Sequence, residues 1–404
     1  MPFVGEGTYG CVYKKPPLKC KNKTTNFGPN QVSKLMYRPD ANDEVSDYKI
    51  LKQIDPTNIY YPGAPNVCEV NEKQSGLDDC SLLEENPNLS QYKLLFYKDG
   101  GIDLDDFVED HLDDYLKTNP QKQTDHFFLN AHTLFMGLRL YIKKNFIHHD
   151  IKPSNIVFDQ NTYTFKFIDF GLSVIKSKLV NNILKKQDYE SFHWSYPMEV
   201  GFTNSNKPYF YENLNDEKIK TIEQDLIQLF VQSDKIKRSK EYKIKPSRYT
   251  HTTFRYMIDY AEISKPETIE STIKSTMDGI RSYKHSNVSF EKFVNDTVPF
   301  MDIYAFGFTM NHMLNSFYRK SAISNTQYLL YSALFKAMFH FDFTKRLMNI
   351  DIIVSKYEEI LKQVGVLERL NRTFVDHKIV KMNKPKNKSK NSLIRNNKTK
   401  KNVM

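Results

Sequence analysis

Two rhythms divide the chain. Up to about residue 100 the apolar positions come in short runs broken by Pro, Lys and Asn. Val12-Tyr13, Val32-Ser33-Lys34-Leu35-Met36 and Tyr92-Lys93-Leu94-Leu95-Phe96-Tyr97 read as strands. Between them Glu44 to Ile54 reads as a helix, with Val45, Tyr48 and Ile50-Leu51 at helical spacing and Asp55-Pro56 as its stop. Asp99-Gly100-Gly101 ends the last of these strands. From residue 102 the spacing turns helical. Phe127, Ala131, Leu134, Leu138 and Tyr141 form one apolar stripe on a helix running into His148. Ile156-Val157-Phe158, the turn Asp159-Gln160-Asn161-Thr162 and Phe165-Lys166-Phe167-Ile168 predict a hairpin. Two more helical stripes follow, Ile219, Ile222, Leu226 and Leu229, then Ile269, Ile273, Met277 and Ile280. The pattern predicts an α+β protein: a small strand-rich N-lobe, a boundary near Gly100-Gly101, and a larger helical C-lobe. No internal repeat is visible.

Composition sets bounds on this picture. The 404 residues are 40% hydrophobic and 13% aromatic, enough for the core of one large or two coupled domains. No run of about 18 apolar residues is present, so no membrane-spanning helix is expected. The N-terminus lacks a charged-then-apolar leader, so no secretory signal is expected. Four cysteines, at 11, 20, 68 and 80, make no CxxC pair. They read as free thiols of a reduced, intracellular, cytoplasmic protein.

Charge is unevenly placed. Residues 381–404 carry nine Lys or Arg and no acid; removing those nine from the net charge of +10 leaves +1. The body is near neutral and the basicity is a tail. Its Lys/Asn-rich composition predicts disorder and a salt-sensitive, sequence-blind attraction to polyanions such as nucleic acid.

Three clusters carry candidate chemistry. Gly5, Gly7 and Gly10 have GxGxxG spacing, which lets a hairpin backbone lie close over phosphates. The same spacing marks dinucleotide folds, but there a helix follows, whereas here strand-like Cys11-Val12-Tyr13 does. The second cluster is His148-His149-Asp150-Ile151-Lys152-Pro153-Ser154-Asn155, and Asp169-Phe170-Gly171 begins fourteen residues after Asn155. The predicted hairpin puts Asn155 beside Asp169, as two ligands of one metal site need. The third is Lys34, a cation on a strand, with Glu44 and Asp47 on the next helix as candidate partners.

In this order the motifs resemble those of eukaryotic-type serine/threonine protein kinases, from residue 4 to about residue 365. Tyr196-Pro197-Met198-Glu199 looks like a variant of the Ala-Pro-Glu segment, Asp302-Ile303-Tyr304-Ala305-Phe306-Gly307 like the Asp-x-Trp/Tyr-Ser/Ala-x-Gly helix start, and Asp342-Phe343-Thr344-Lys345-Arg346 like the Asp-Pro-x-x-Arg motif. The resemblance implies a bilobal kinase-like fold and use of ATP and Mg2+. It implies that Asp150 orients the substrate hydroxyl and takes its proton while Lys152 stabilises the phosphoryl charge. Val4, Gly5, Gly7, Gly10, Val12, Lys34 and Glu44 would hold the nucleotide, and Asn155 and Asp169 the metal. Glu199 and Arg346 would form a buried ion pair. His148 would be structural. His149 stands where many members carry arginine, which implies activity independent of activation-segment phosphorylation, with a protonated histidine as a weak substitute.

The chain departs from the family in three places. Four residues precede Gly5, which leaves a very short first strand or a start further upstream. An insert of 102 residues separates Glu199 from Asp302 and is expected to form a helical subdomain near the substrate face. The acid-free tail, with that insert, resembles divergent kinases of large DNA viruses with AT-rich genomes, and so a host cytoplasm or virion location. The expected layout is an N-lobe at 1–100, a C-lobe at 101–365 with the insert at 200–300, and a basic disordered tail at 366–404. Competing readings are a pseudokinase scaffold with a dead cleft, a small-molecule kinase of the aminoglycoside or choline type, and nucleic-acid binding through the tail.

Overall fold

A computed structural model describes residues 3–7, 10–21, 30–186, 195–207, 209–239 and 269–382. The N-terminal part is one antiparallel sheet of five strands: β1 (Phe3–Gly7), β2 (Gly10–Lys14), β3 (Gln31–Tyr37), β4 (Asn66–Cys68) and β5 (Tyr92–Lys98). Their order is β1-β2-β3-β5-β4, and Lys34 sits opposite Val12 on one side and Leu95 on the other. Helix α1 (Arg38–Ile54) packs on this sheet. It starts earlier than the apolar spacing predicts because Pro39 stands in its first turn, where the missing N–H is no loss. Its buried face is Ala41, Glu44, Tyr48 and Leu51, so a carboxylate occupies a core position.

The four cysteines correct the expectation of free thiols. Cys11 is bonded to Cys80, and Cys20 to Cys68, over 69 and 48 residues of chain. β2 and the segments around residues 68 and 80 converge on a small apolar cluster with Tyr13, Leu35, Leu77 and Tyr92. The partners are brought together by sheet pairing and packing, so no local spacing betrays them.

The chain leaves the sheet through Gly100-Gly101. A Cβ on Gly101 would lie 2.2 Å from the Phe158 carbonyl oxygen, and its φ is +114°. Only glycine fits where the crossing rests on the next lobe. There β6 (Ile102–Asp103), β8 (Ile156–Asp159) and β9 (Thr164–Phe167) form a three-stranded sheet, while β7 (Phe146–Ile147) pairs with β10 (Val174–Ile175). The lobe is built around α2 (Pro120–Lys143), whose predicted stripe is buried throughout. Helix α3 (Lys176–Lys186) follows β10.

Two helices fall where the insert stripes predict them, α4 (Asp216–Ser239) and α5 (Ile269–His285). Ile219, Ile273, Met277 and Ile280 are buried, and Arg281 pairs with Glu223 across the two helices. The side chain of Leu229 and residues 240–268 lie outside the described residues. After α6 (Phe290–Thr297) come α7 (Met301–Arg319), which is mainly buried, then α8 (Asn325–Met338) and α9 (Ile350–Gln363).

The expected disordered tail starts too early at 366. Residues Val366–Arg369 are helical, and β11 (Arg372–Val375) pairs with β12 (Lys378–Lys381). Arg369 holds Asp125 of α2 with two hydrogen bonds of 2.6 and 2.8 Å. His377 and His132 both hydrogen-bond Glu358 at 2.8 Å. Charged anchors on the neighbouring helices, together with the buried Val366 and Leu367 and the packing of Leu370, Phe374 and Ile379 on the core, hold this stretch in place. The acid-free residues 383–404 lie outside the described residues. No described helix is long and apolar enough to cross a membrane.

Candidate active site

The glycine hairpin is the edge of the sheet, β1 against β2. Its glycines serve different ends. A Cβ on Gly10 would lie 2.7 Å from the Leu35 carbonyl oxygen, so packing on β3 forbids a side chain. A Cβ on Gly5 would meet nothing within 4 Å, leaving that backbone open to a ligand. Gly7 closes the described part of β1, and residues 8 and 9 lie outside it. Glu6, between two of these glycines, accepts from the Ser81 backbone N–H at 3.1 Å and from its hydroxyl. With the Cys11–Cys80 bond this pins both strands to the segment around residue 80. Val12 is half-buried on β2, and Val4 is exposed.

Lys34 reaches from β3 to Glu44 of α1, Nζ to Oε2 2.9 Å. The same ammonium is 3.6 Å from Asp169 Oδ1, across the boundary between the lobes. Burial alone would lower the Lys34 pKa, but Asp169 and Glu44 outweigh it and the pKa is raised. The cation is therefore secure. Asp47, the other candidate partner, lies off the buried face of α1; burial and the nearby Asp43 and Glu44 raise its pKa to about 6. Tyr97 of β5 donates its hydroxyl to Glu44 Oε1.

The catalytic-loop candidates come next. Lys152 Nζ donates to Asp150 Oδ2 at 2.9 Å. The Asn155 amide donates to the Asp150 carbonyl at 2.8 Å and to its Oδ2 at 2.7 Å. Burial, helped by Asp169, raises the Asp150 pKa against the pull of Lys152. For Asp169, burial would also raise the pKa, but Lys34, Lys152 and His148 together hold it below the usual range. The Ile168 N–H donates to the Asn155 carbonyl at 3.0 Å, so the β8–β9 hairpin does bring those two chain segments side by side. Asp169 has φ +59° and His149 φ +70°, backbone states uncommon for such residues and enriched at functional sites.

What holds this loop was not fully read from the sequence. Asp302, buried near the start of α7, accepts from the backbone N–H of His148 at 2.6 Å and of His149 at 2.9 Å. Burial pushes its pKa up to about 6, although both hydrogen bonds oppose this. A lone carboxylate opening an apolar helix was the available signal. His148 is wholly buried, donates from Nε2 to the Ile168 carbonyl at 3.1 Å and packs 4.4 Å from the Phe170 ring. Burial lowers the pKa of both His148 and His149 to about 4. His149 is thus neutral at physiological pH, which corrects the idea of a protonated stand-in for arginine. It donates from Nδ1 to the Leu172 carbonyl at 3.0 Å and stacks parallel on Tyr196 at 5.1 Å. The Tyr196 hydroxyl donates to the His149 carbonyl at 2.6 Å. Glu199 and Arg346 form a buried bidentate pair at 2.5 and 3.3 Å, with the guanidinium 4.8 Å from the Tyr304 ring centre.

Part of the chain is similar to known proteins. Residues 85–247 match the protein kinase domain family. Over 100 residues, 23% of the chain, it is 35% identical to the probable serine/threonine-protein kinase MRK1 homolog of Encephalitozoon cuniculi. Over 177 residues, 42% of the chain, it is 30% identical to cyclin-dependent kinase 12 of Drosophila melanogaster. The chain spans 31% and 13% of the length of these two relatives. The strand-rich N-terminal sheet and helical C-terminal region form the bilobal α+β fold of a protein kinase domain.

Proposed function

We propose that this protein is a serine/threonine protein kinase that transfers the γ-phosphoryl group of ATP to hydroxyls of protein substrates. One observation carries the reading: Lys34, held by Glu44, lies 3.6 Å from Asp169 across the interlobe boundary, and Asp169 in turn feels the charge of Lys152 and acts on that of Asp150, which Asn155 and Lys152 hydrogen-bond. A phosphate-binding cation, a metal-binding carboxylate and a base with its own cation thus belong to one constellation. In this reading the nucleotide lies under the glycine hairpin, against Gly5, Gly7, Val4 and Val12. Lys34 neutralises its α- and β-phosphates. Asp150 orients the attacking hydroxyl and accepts its proton, and Lys152 offsets charge on the transferring group.

The donor set fits magnesium. Asp169 stays ionised, and the Asn155 amide nitrogen is committed to Asp150, leaving its carbonyl oxygen free to ligate. A carboxylate and an amide oxygen suit a hard cation that keeps most of its waters. When bound, the ion would neutralise phosphate charge and fix the geometry of transfer.

The Asp-x-Lys-x-x-Asn string and the curated relatives favour serine and threonine over tyrosine. The proposed layout is an N-lobe to about residue 100 and a C-lobe beyond it, carrying the insert at 200–300. Polyanion contact through residues 381–404 rests on the Lys/Asn-rich, acid-free composition of that segment, and an origin in a large DNA virus, acting in host cytoplasm or virion, on that composition together with the insert. Incubation with labelled ATP and magnesium on a peptide array tests the central reading. Label on serine and threonine peptides supports it. Label on none, with ATP bound, would favour a scaffold with a silent cleft.

A further inference from the structure

Glu44 has both carboxylate oxygens engaged. Oε2 accepts from Lys34 and Oε1 accepts from the Tyr97 hydroxyl. The strand register explains how Tyr97 gets there. Tyr97 is opposite Val32, and Lys34 is opposite Leu95. Positions two apart share a face, and opposed residues share it too, so Tyr97 and Lys34 leave the sheet on the same side, toward α1. The Tyr97 ring is 5.6 Å from that of Tyr48, one turn beyond Glu44, and Tyr48 meets Phe170 edge-on at 5.8 Å. Tyr97 therefore touches α1 at two successive turns, through its hydroxyl at Glu44 and its ring at Tyr48.

Glu44 is only 4% exposed. Without the phenol, Oε1 would be a buried anionic oxygen stripped of its donor, a costly state that the carboxylate would relieve by turning away. Lys34 would then lose its alignment. Burial and the neighbouring Glu44 push the Tyr97 pKa well above its ordinary value, so the phenol remains a donor at any working pH.

We propose that Tyr97 is a positioning residue, whose hydroxyl fixes the Glu44 carboxylate so that Lys34 meets the nucleotide phosphates. This rests on the kinase reading above and adds a residue to it that acts through Glu44. A double-mutant cycle separates this role from simple packing. Tyr97→Phe, Glu44→Gln and the double variant would be compared with wild type for kcat/KM toward ATP, affinity for a fluorescent ATP analogue, and melting temperature. Tyr97→Phe keeps the ring and deletes the hydroxyl. It is expected to lower kcat/KM and analogue affinity by about tenfold, the range for a hydrogen bond to a charged group, with little change in melting temperature. In the Glu44→Gln background the same change should cost less than about twofold. An equal loss in both backgrounds, or none in either, would overturn the proposal. Wild-type protein that moves no phosphate would instead overturn the kinase reading, and the binding arm alone would decide the role of Tyr97.

Discussion

At the scale of single residues, the site works by setting charges against burial. In the proposed mechanism Asp150 must be ionised to accept a proton, yet burial and Asp169 raise its pKa and Lys152 only partly restores it. As pH falls, activity should therefore decline earlier than an ordinary carboxylate would dictate. Removing the cation should shift that decline further. A pH profile of kcat/KM is expected to show an acidic limb that moves to higher pH in Lys152→Met; a limb that stays put or moves lower would contradict the assignment. Asp150, Lys152, Asn155 and Asp169 were legible because their chemistry depends on local spacing, which the chain displays directly. Tyr97 was not, and Asp302 and Tyr196 were visible only as motif positions, without their partners. Their partners lie 53, 154 and 47 residues away, and a tyrosine in a strand or an aspartate opening a helix has many ordinary uses.

At the scale of elements, the apolar rhythm gave existence and type but not edges or cross-links. Helix α1 begins at Arg38 rather than Glu44, since a proline-led first turn carries no apolar signal. The segment 56–91 has little regular structure and offered no periodicity, yet it clamps the glycine hairpin through Cys11–Cys80 and Glu6–Ser81. Opening that bond frees a long loop in the unfolded chain. Cys80→Ser is accordingly expected to destabilise the N-terminal sheet by about 2–4 kcal/mol, read as a lower melting temperature. A dithiol reductant should reproduce the shift in wild type. Unchanged melting in both cases would mean the bond does not form in the protein. The segment after Asp169 makes a different prediction. A neutral His149, enclosed by Tyr196 and the Leu172 carbonyl, offers no charge to a phosphate. Phosphatase-treated protein should thus keep most of its activity. A large loss, restored by phosphorylation between residues 171 and 196, would contradict this; residues 187–194 lie outside the described ones.

At the scale of the whole molecule, two lobes meet at the contact between Lys34 and Asp169, and the glycine crossing at 100–101 sets how closely they approach. The basic segment beyond residue 382 carries none of the motif residues. Its deletion should leave turnover of a neutral peptide unchanged while removing a DNA or RNA affinity that falls steeply with salt. Equal affinity of full-length and truncated protein would rule out a polyanion anchor there. The account as a whole turns on Asp150 as the group that accepts the substrate proton. Substituting Asn keeps an acceptor for Lys152 and Asn155, so the loop and the nucleotide site should survive. Phosphoryl transfer by wild type and Asp150→Asn, each with its ATP affinity in magnesium, is the most direct test. Transfer is predicted to fall at least about a hundredfold at nearly unchanged affinity; turnover equal to wild type would contradict the mechanism.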